Sequence, residues 1–409
     1  MNVNWRLAWR NLWRHRRRTW LTVAAMVFCN TLLIFMISLQ LGTYDMMINN
    51  SLAMVTGHVQ VQQKDYLENQ RMRDSVPAVE ALAASVASEL GLDTVAARGQ
   101  AFALASSEDR SFGVLLAGVQ PDREPGVSSL PGLVSEGRYL AADDRDAIVI
   151  GAVLAKNLKV GLGDELTFLG SGRDGSFAAG LATVVGIVHT GMDEIDRGIA
   201  HVPLAWFQET FSMGDHGHTV VVRMPDLALV EGAMQRVAAL LPEGQNLVAL
   251  DWDALQPGLR QAIRSDLASG WVMYAVFIVL VAFSVLNTQL MSVLERTREF
   301  GVMLALGMGP GRLAKLVTIE TFLLSLLGLL LGLLFGGLVV LWLSHAGFSY
   351  PGMEEMAAEF NMDSRFYPEV SFVALMWGPS TVFLFTMLAA IYPSLRLYKL
   401  EPVQAMRAV

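Results

Sequence analysis

Four stretches of this sequence, residues 19–44, 267–294, 321–344 and 370–395, contain no Asp, Glu, Lys or Arg. The shortest has 24 residues. As an α-helix, at about 1.5 Å per residue, even that one exceeds the roughly 30 Å hydrocarbon core of a bilayer. Inside that core a backbone must satisfy its own N–H and C=O groups, so each run is read as a spanning helix. The composition agrees, with only 17% charged residues against about 25% in soluble domains. The first run is longer than the apolar part of a cleavable signal peptide and no small-residue cleavage site follows it cleanly, so it is expected to remain as a span.

The charge between the runs sets the topology. Six Arg precede the first span, Arg296, Arg298, Arg312 and Lys315 lie between the second and third, and three basic residues follow the fourth. The loop at 345–369 has only Arg365 against five acids. Lys and Arg accumulate on the cytoplasmic side of a membrane, so both termini and the 295–320 loop are expected there. The segments are then an interfacial helix at 1–18, spans at 19–44, 267–294, 321–344 and 370–395, an external domain at 45–266, a cytoplasmic loop at 295–320, an external loop at 345–369 and a cytoplasmic tail at 396–409. The fold class is an α+β membrane protein: four transmembrane helices with a large mixed α/β extracytoplasmic domain between the first and second. That domain carries 16 Lys and Arg against 29 Asp and Glu, a balance of −13, which argues against nucleic acid as a partner. The single cysteine, Cys29, lies in the first apolar run, so cysteine usage does not decide the redox compartment.

Residues 1–18 repeat with a period of four, placing Trp5, Trp9 and Trp13 on one helical face and Arg6, Arg10 and Arg14 on the next. Indole favours the headgroup layer and Arg the anionic phosphates, so this is read as a helix lying along the membrane, a reading that does not exclude a plain orientation signal. In the external domain, β-like runs occur at 58–62, 112–119, 147–150, 165–169, 182–188, 200–203 and 219–222, and helical patterns at 79–90, 152–158 and 227–241. Its length suffices for a core of its own, in two subdomains. The third span carries Gly328, Gly332 and Gly336 on one face with Gly337 beside them, a spacing that lets helix backbones approach closely in lipid.

The charged island 295–320, ERTREFGVMLALGMGPGRLAKLVTIE, is compact and ordered in pattern. An apolar piece, 300–306, is closed by Gly307, Gly309, Pro310 and Gly311, as a short amphipathic helix, a turn and a Pro-initiated helix would be. An apolar helix held at the membrane face needs a protein or lipid surface to cover it. No Gly-Lys-Ser/Thr phosphate loop exists, and the alternating glycines lack a preceding strand, so no nucleotide site is expected in this chain. Asp215, His216 and His218, and Asp193, Glu194 and Asp196, lack the spacing of a metal site and read as solvated loops. The spans hold no isolated Asp, Glu, Lys or Arg, unlike an ion or proton pathway.

One span, a large external domain, then three spans with this loop after the second: the pattern resembles the MacB/FtsX/LolC-LolE permeases, the mechanotransmitting ABC transporters. The C-terminal YPSLRLYKLEPVQAMRAV is similar to the family's ending. LLAGVQPDREPGVSSLPGLVSEGRYL, AIVIGAVLAKNLKVGLGDELTFL and TVVGIVHTGMDEIDRGIAHVPL resemble the lipoprotein-releasing branch. The resemblance implies a non-catalytic subunit of the bacterial inner membrane, with the external domain periplasmic and ATP and Mg held by a separate cytoplasmic ATPase dimer. It implies a second permease, identical or paralogous, and a periplasmic chaperone or adaptor. The ATPase-coupling residues would be Glu295, Arg296, Arg298, Glu299, Phe300, Met303, Leu304 and Gly307. The segment GSGRDGSFAAGL stands where one lipoprotein-releasing subunit carries a chaperone-capturing hook, and offers only Phe177 and Leu181 as sizeable apolar groups.

The function expected is conversion of a partner's ATP hydrolysis into periplasmic motion that extracts lipoproteins or other envelope lipids. Two alternatives are a MacB-like export permease working with an adaptor, and an FtsX-like activator of a periplasmic hydrolase. At the outer end of the first span Met36, Leu39, Met46 and Met47 offer adaptable side chains suited to acyl chains, and equally to ordinary lipid-facing or gap-filling positions.

Overall fold

The computed structural model describes residues 3–242, 244–353 and 364–399. Part of the 345–369 loop and residues 400–409 of the 396–409 tail therefore lie outside the described residues. The chain opens with α1 (Val3–Leu12), a three-residue turn and α2 (Arg16–Ser51), followed by a π-helical turn at Leu52–Thr56. The inserted domain runs through β1 (Val59–Gln63), α3 (Tyr66–Asn69), α4 (Val79–Leu90), β2 (Val95–Ser106), β3 (Ser111–Val119) and α5 (Glu124–Val127). It continues with β4 (Val134–Gly137), β5 (Ala147–Gly151), α6 (Ala152–Leu158), β6 (Glu165–Ser171), β7 (Phe177–Val188) and α7 (Asp193–Gly198). Then come β8 (Ile199–Pro203), α8 (Leu204–Thr210), β9 (Thr219–Val222), α9 (Val230–Leu240), β10 (Leu247–Asp251) and α10 (Trp252–Leu255). The remainder is helical: α11 (Pro257–Glu295), α12 (Thr297–Ala305), α13 (Pro310–Ala346) and α14 (Phe372–Arg396).

Two compact units result, one of Met1–Tyr44, Ala262–Ser349 and Arg365–Val409, the other of Asp45–Gln261 and Tyr350–Ser364. Helices α2, α11, α13 and α14 are each long and apolar enough to cross a membrane. Three of them run well past the uncharged stretches, to 36, 39 and 37 residues. Charge ends the apolar run but not the helix, because Arg, Lys and Glu are good helix formers. In the helical unit Met26, Cys29 and Leu33 of α2 pack with Tyr274, Ile278, Val281 and Val285 of α11 and Val382 of α14.

In the inserted unit a ten-stranded mixed sheet has the order β10-β1-β9-β2-β3-β8-β5-β7-β4, with β6 bridging β2 and β7. The two largest apolar clusters of this unit lie on one continuous sheet. Around β1, β9 and the start of β2, one cluster is covered by Val79, Ala83 and Val86 of α4 and Val230, Ala233 and Val237 of α9. The other holds Leu116, Ile148, Ile150 and Phe168 under Trp206 and Phe207 of α8. Strand β2 escaped the sequence reading because VAARGQAFALAS is rich in Ala and contains a Gly, both poor strand signals. Its glycine has a packing reason. Gly99 is the register partner of Gly118 on β3, and a Cβ on either would stand 2.3 or 2.4 Å from the Phe207 side chain. The two glycines form a socket for that ring. Arg98 is buried in an ion pair with Glu124 of α5, its Nε donating to Oε2 at 3.1 Å.

Candidate functional site

The charged loop between α11 and α13 forms a distinct helix, α12, and Gly307 ends it. At φ 92° this position suits glycine, and the amides of Gly307 and Met308 donate back to Leu304 and Met303 carbonyls at 3.0 Å. Pro310 opens α13, as its fixed φ and missing N–H allow at a helix start. One side of α12 is packed against the chain itself. Phe300 is fully buried among Val293, Leu313, Val317 and Leu397, with Met303, Leu304 and Met308 around them. Arg296 is buried beside it, its guanidinium 4.9 Å from the Phe300 ring centre. The guanidinium Nη1 donates to both Glu320 oxygens at 3.1 and 2.9 Å, and Nε lies 3.4 Å from Glu299.

Two further ion pairs reach α12 and the end of α11 from the amino-terminal segment: Arg14 to Glu299 and Arg18 to Glu295, each at 2.6 Å. Asn11 donates to Glu320 at 2.7 Å. Of the residues expected to meet a partner, Arg296 and Phe300 therefore have almost no surface to offer. Glu295 and Glu299 are held by arginines of the same chain, and Met303 and Leu304 are half-buried. On α12 and the turn that ends it, the exposed positions include Arg298, Val302, Ala305, Leu306 and Gly307, with Leu306 83% exposed. Helical spacing explains the shift: positions 296, 300, 303 and 304 share the packed face, whereas 298, 302, 305 and 306 turn outward.

The glycine stripe lies against α2. A Cβ at Gly328 would stand 2.9 Å from Met26 Cβ, at Gly332 2.5 Å from Asn30 Cβ, and at Gly336 2.6 Å from Ile34 Cδ1. Gly337 meets nothing nearer than Leu375 at 3.8 Å. Helix α1 also leans on α13, through Ala8 on Leu316 and Ile319 and the Trp5 ring edge-on to Phe322 at 5.9 Å. The expected single face of tryptophans is broken, because α1 ends at Leu12. Trp13 lies in the following turn, between Trp9 and Trp20 at 5.7 and 5.8 Å.

A profile described as the MacB-like periplasmic core domain matches residues 19–240, more than half of the chain, and one described as the FtsX-like permease C-terminal matches residues 271–402. This chain belongs to the MacB/FtsX family of ABC transporter permeases. The lipoprotein-releasing system transmembrane protein LolC of Xylella fastidiosa is 24% identical over 73% of this chain and 74% of its own length. The macrolide export ATP-binding/permease protein MacB of Bordetella avium is 23% identical over 78% of this chain and 49% of its own. Among solved structures, the periplasmic region of MacB from Actinobacillus actinomycetemcomitans covers 51% of this chain and 94% of that one, at 14% identity and a TM-score of 0.37.

In this permease the four residues expected to face a substrate separate. Met36 and Leu39 line a cleft of about 400 Å³ between α2 and α11; Met46 and Met47, further along α2, are half-buried and do not line it. The cleft has a polar wall. Asp266 accepts from Tyr44 Oη at 2.6 Å and Gln40 Nε2 at 3.0 Å, while Tyr274 Oη donates to Gln40 Oε1 at 2.6 Å.

The segment after Leu169 is a β-hairpin, β6 to β7, closed at Ser171 and Phe177. It does not stand free, since β6 also pairs with β2. Leu104, Leu169 and Ala179 are successive cross-strand partners, so Phe102, Leu104, Phe177 and Leu181 share one sheet face. All four are exposed. The two groups read as solvated loops are only partly so: Asp193, Glu194 and Asp196 lie on helix α7, and Asp196 and His218 are buried. Asp196 is buried and accepts from the Thr190 amide and hydroxyl and from His189. Both nitrogens of His218 are engaged, by the Gln100 amide and the Met72 carbonyl. Burial pushes the His218 and His201 imidazoles down to about 4.

Sequence reasoning missed the network that Asn11, Arg14, Arg18 and Glu320 make with Glu295, Arg296 and Glu299 around α12. One signal was available: Glu320 is a lone acid at the mouth of an apolar run, and such a residue requires a partner.

Proposed function

We propose that this permease takes force from a separate cytoplasmic ABC ATPase through α12 and uses it to move the inserted domain in the periplasm, extracting lipoproteins or related envelope lipids from the inner membrane. Both termini and α12 are cytoplasmic in this reading, as the distribution of Lys and Arg favours. The observation that carries it is the division of α12: one side is built into the chain by Phe300 and Arg296, and the other, among the described residues, presents Val302, Ala305 and Leu306 as exposed side chains. An apolar knob on a firmly seated helix is what a groove in a moving partner can push. The lipoprotein-releasing assignment rests on coverage. The LolC relative is matched over 73% of this chain and 74% of its own length, at 24% identity. The cleft beside Met36 and Leu39, apolar with a polar wall, suits an acyl chain joined to a polar head.

The test has two arms. A photoreactive residue at Leu306 in native membranes is expected to crosslink an ABC ATPase; recovery of lipid adducts alone refutes the coupling role. The same probe at Leu39 is expected to capture a lipidated protein. Labelling of bulk phospholipid alone refutes the substrate.

A further inference from the structure

Five side chains at one end of the helical unit close a ring. Asn11 donates to Glu320, Glu320 accepts Arg296, Arg296 reaches Glu299, and Glu299 pairs with Arg14. The Arg14 amide donates to the Asn11 carbonyl at 3.1 Å and completes the circuit. The outer pair, Arg14 with Glu299, is 57% and 36% exposed, and such pairs hold little by themselves. The inner pair is different: Arg296 and Glu320 are each only 8% exposed.

The apolar contacts leave a gap that the ring fills. Helix α12 is tied to α13 through Phe300, Leu313 and Val317, and α1 is tied to α13 through Ala8, Leu316 and Ile319. Among the described residues no apolar cluster joins α1 to α12. We propose that Arg296, Glu320 and Asn11 are positioning residues that make α1 travel with α12, so that a load received at the exposed side of α12 reaches the amino-terminal helix and, through Arg18 and Glu295, the start of α2. This rests on the coupling role assigned above. A buried ion pair is poor evidence of stabilisation, because a well-packed apolar pair of similar volume serves as well or better; one documented use of such pairs is to fix register between elements.

That distinction supplies the test. The double variant R296M/E320L keeps the volume, removes both charges and breaks the ring, whereas N11A cuts only one hydrogen bond at a half-exposed position. Each permease is reconstituted with its ATPase, and amide exchange is followed in α1 and α12 with and without nucleotide trapping. In the native protein both helices are expected to change protection on trapping. In R296M/E320L the thermal midpoint, ATPase binding and the α12 response are expected to be retained, with the α1 response reduced at least fivefold. N11A should reduce it about twofold, and the charge swap R296E/E320R should restore it relative to R296E alone. An α1 response of native size in both R296M/E320L and N11A overturns the proposal. If R296M/E320L does not fold, N11A alone decides. No nucleotide-dependent change of α12 in the native complex would instead sink the coupling role, and this proposal with it.

Discussion

Replacing Gly332 by Ala adds one methyl group, and its neighbours predict a cost. The new Cβ would lie 2.5 Å from Asn30 Cβ and 2.8 Å from Asn30 Nδ2, whereas apolar carbons rest at about 3.5–4.0 Å. Asn30 Cβ is anchored directly to the α2 backbone, so a shortfall of roughly 1 Å cannot be relieved by swinging the end of a side chain. Either α2 and α13 separate, or Asn30 gives up its hydrogen bond to the Gly328 carbonyl, now 3.2 Å. Overpacking of this kind costs about 1–3 kcal/mol, offset by up to about 1 kcal/mol from the better helix propensity of Ala. The neighbouring glycine is an internal control: at Gly337 the methyl meets only Leu375 at 3.8 Å, so G337A should be neutral or stabilising. The difference between the two variants should be about 2 kcal/mol, close to a thirtyfold change in the unfolding equilibrium. Unfolding of the full-length permease in detergent mixtures of increasing SDS fraction measures it. Equal stability of G332A and G337A would refute the close-packed α2–α13 seam.

At α12, L306D should leave the thermal midpoint of the isolated permease unchanged and weaken ATPase capture at least tenfold, read by co-purification, because Leu306 is 83% exposed. F300D should instead lower the midpoint sharply, since a carboxylate would be buried in an apolar cluster without a partner. E124A removes the carboxylate beside the buried Arg98 and should destabilise the inserted unit by about 3–5 kcal/mol, measured by amide exchange in β2 and β9. The same exchange followed against pH should show the imidazoles. His58, His201 and His218 sit near 4 in the fold and near 6.5 when unfolded. The unfolded chain alone takes up protons between those values, so protection should be flat above pH 6.5 and fall toward pH 4.

The spanning helices were legible in the sequence because hydropathy and charge are summed along consecutive residues, and a bilayer responds to that sum. Helix α4 was legible for the same reason: the boundaries 79–90 read from its 3.6-residue pattern are those of the structure. Strand β2 was not. Its Ala, Gly and Arg residues make sense only once Phe207 fills the socket at Gly99 and Glu124 meets Arg98. In the loop after the second span, sequence located a short amphipathic helix ending at Gly307, but not which of its faces was free. That depends on Asn11, 309 positions away from the Glu320 it bonds, and on arginines that sequence could read only as a charge bias. Local order is written in neighbouring residues. Which side of α12 is buried and which is open to a partner follows from contacts between distant ones, and only the folded chain decides that.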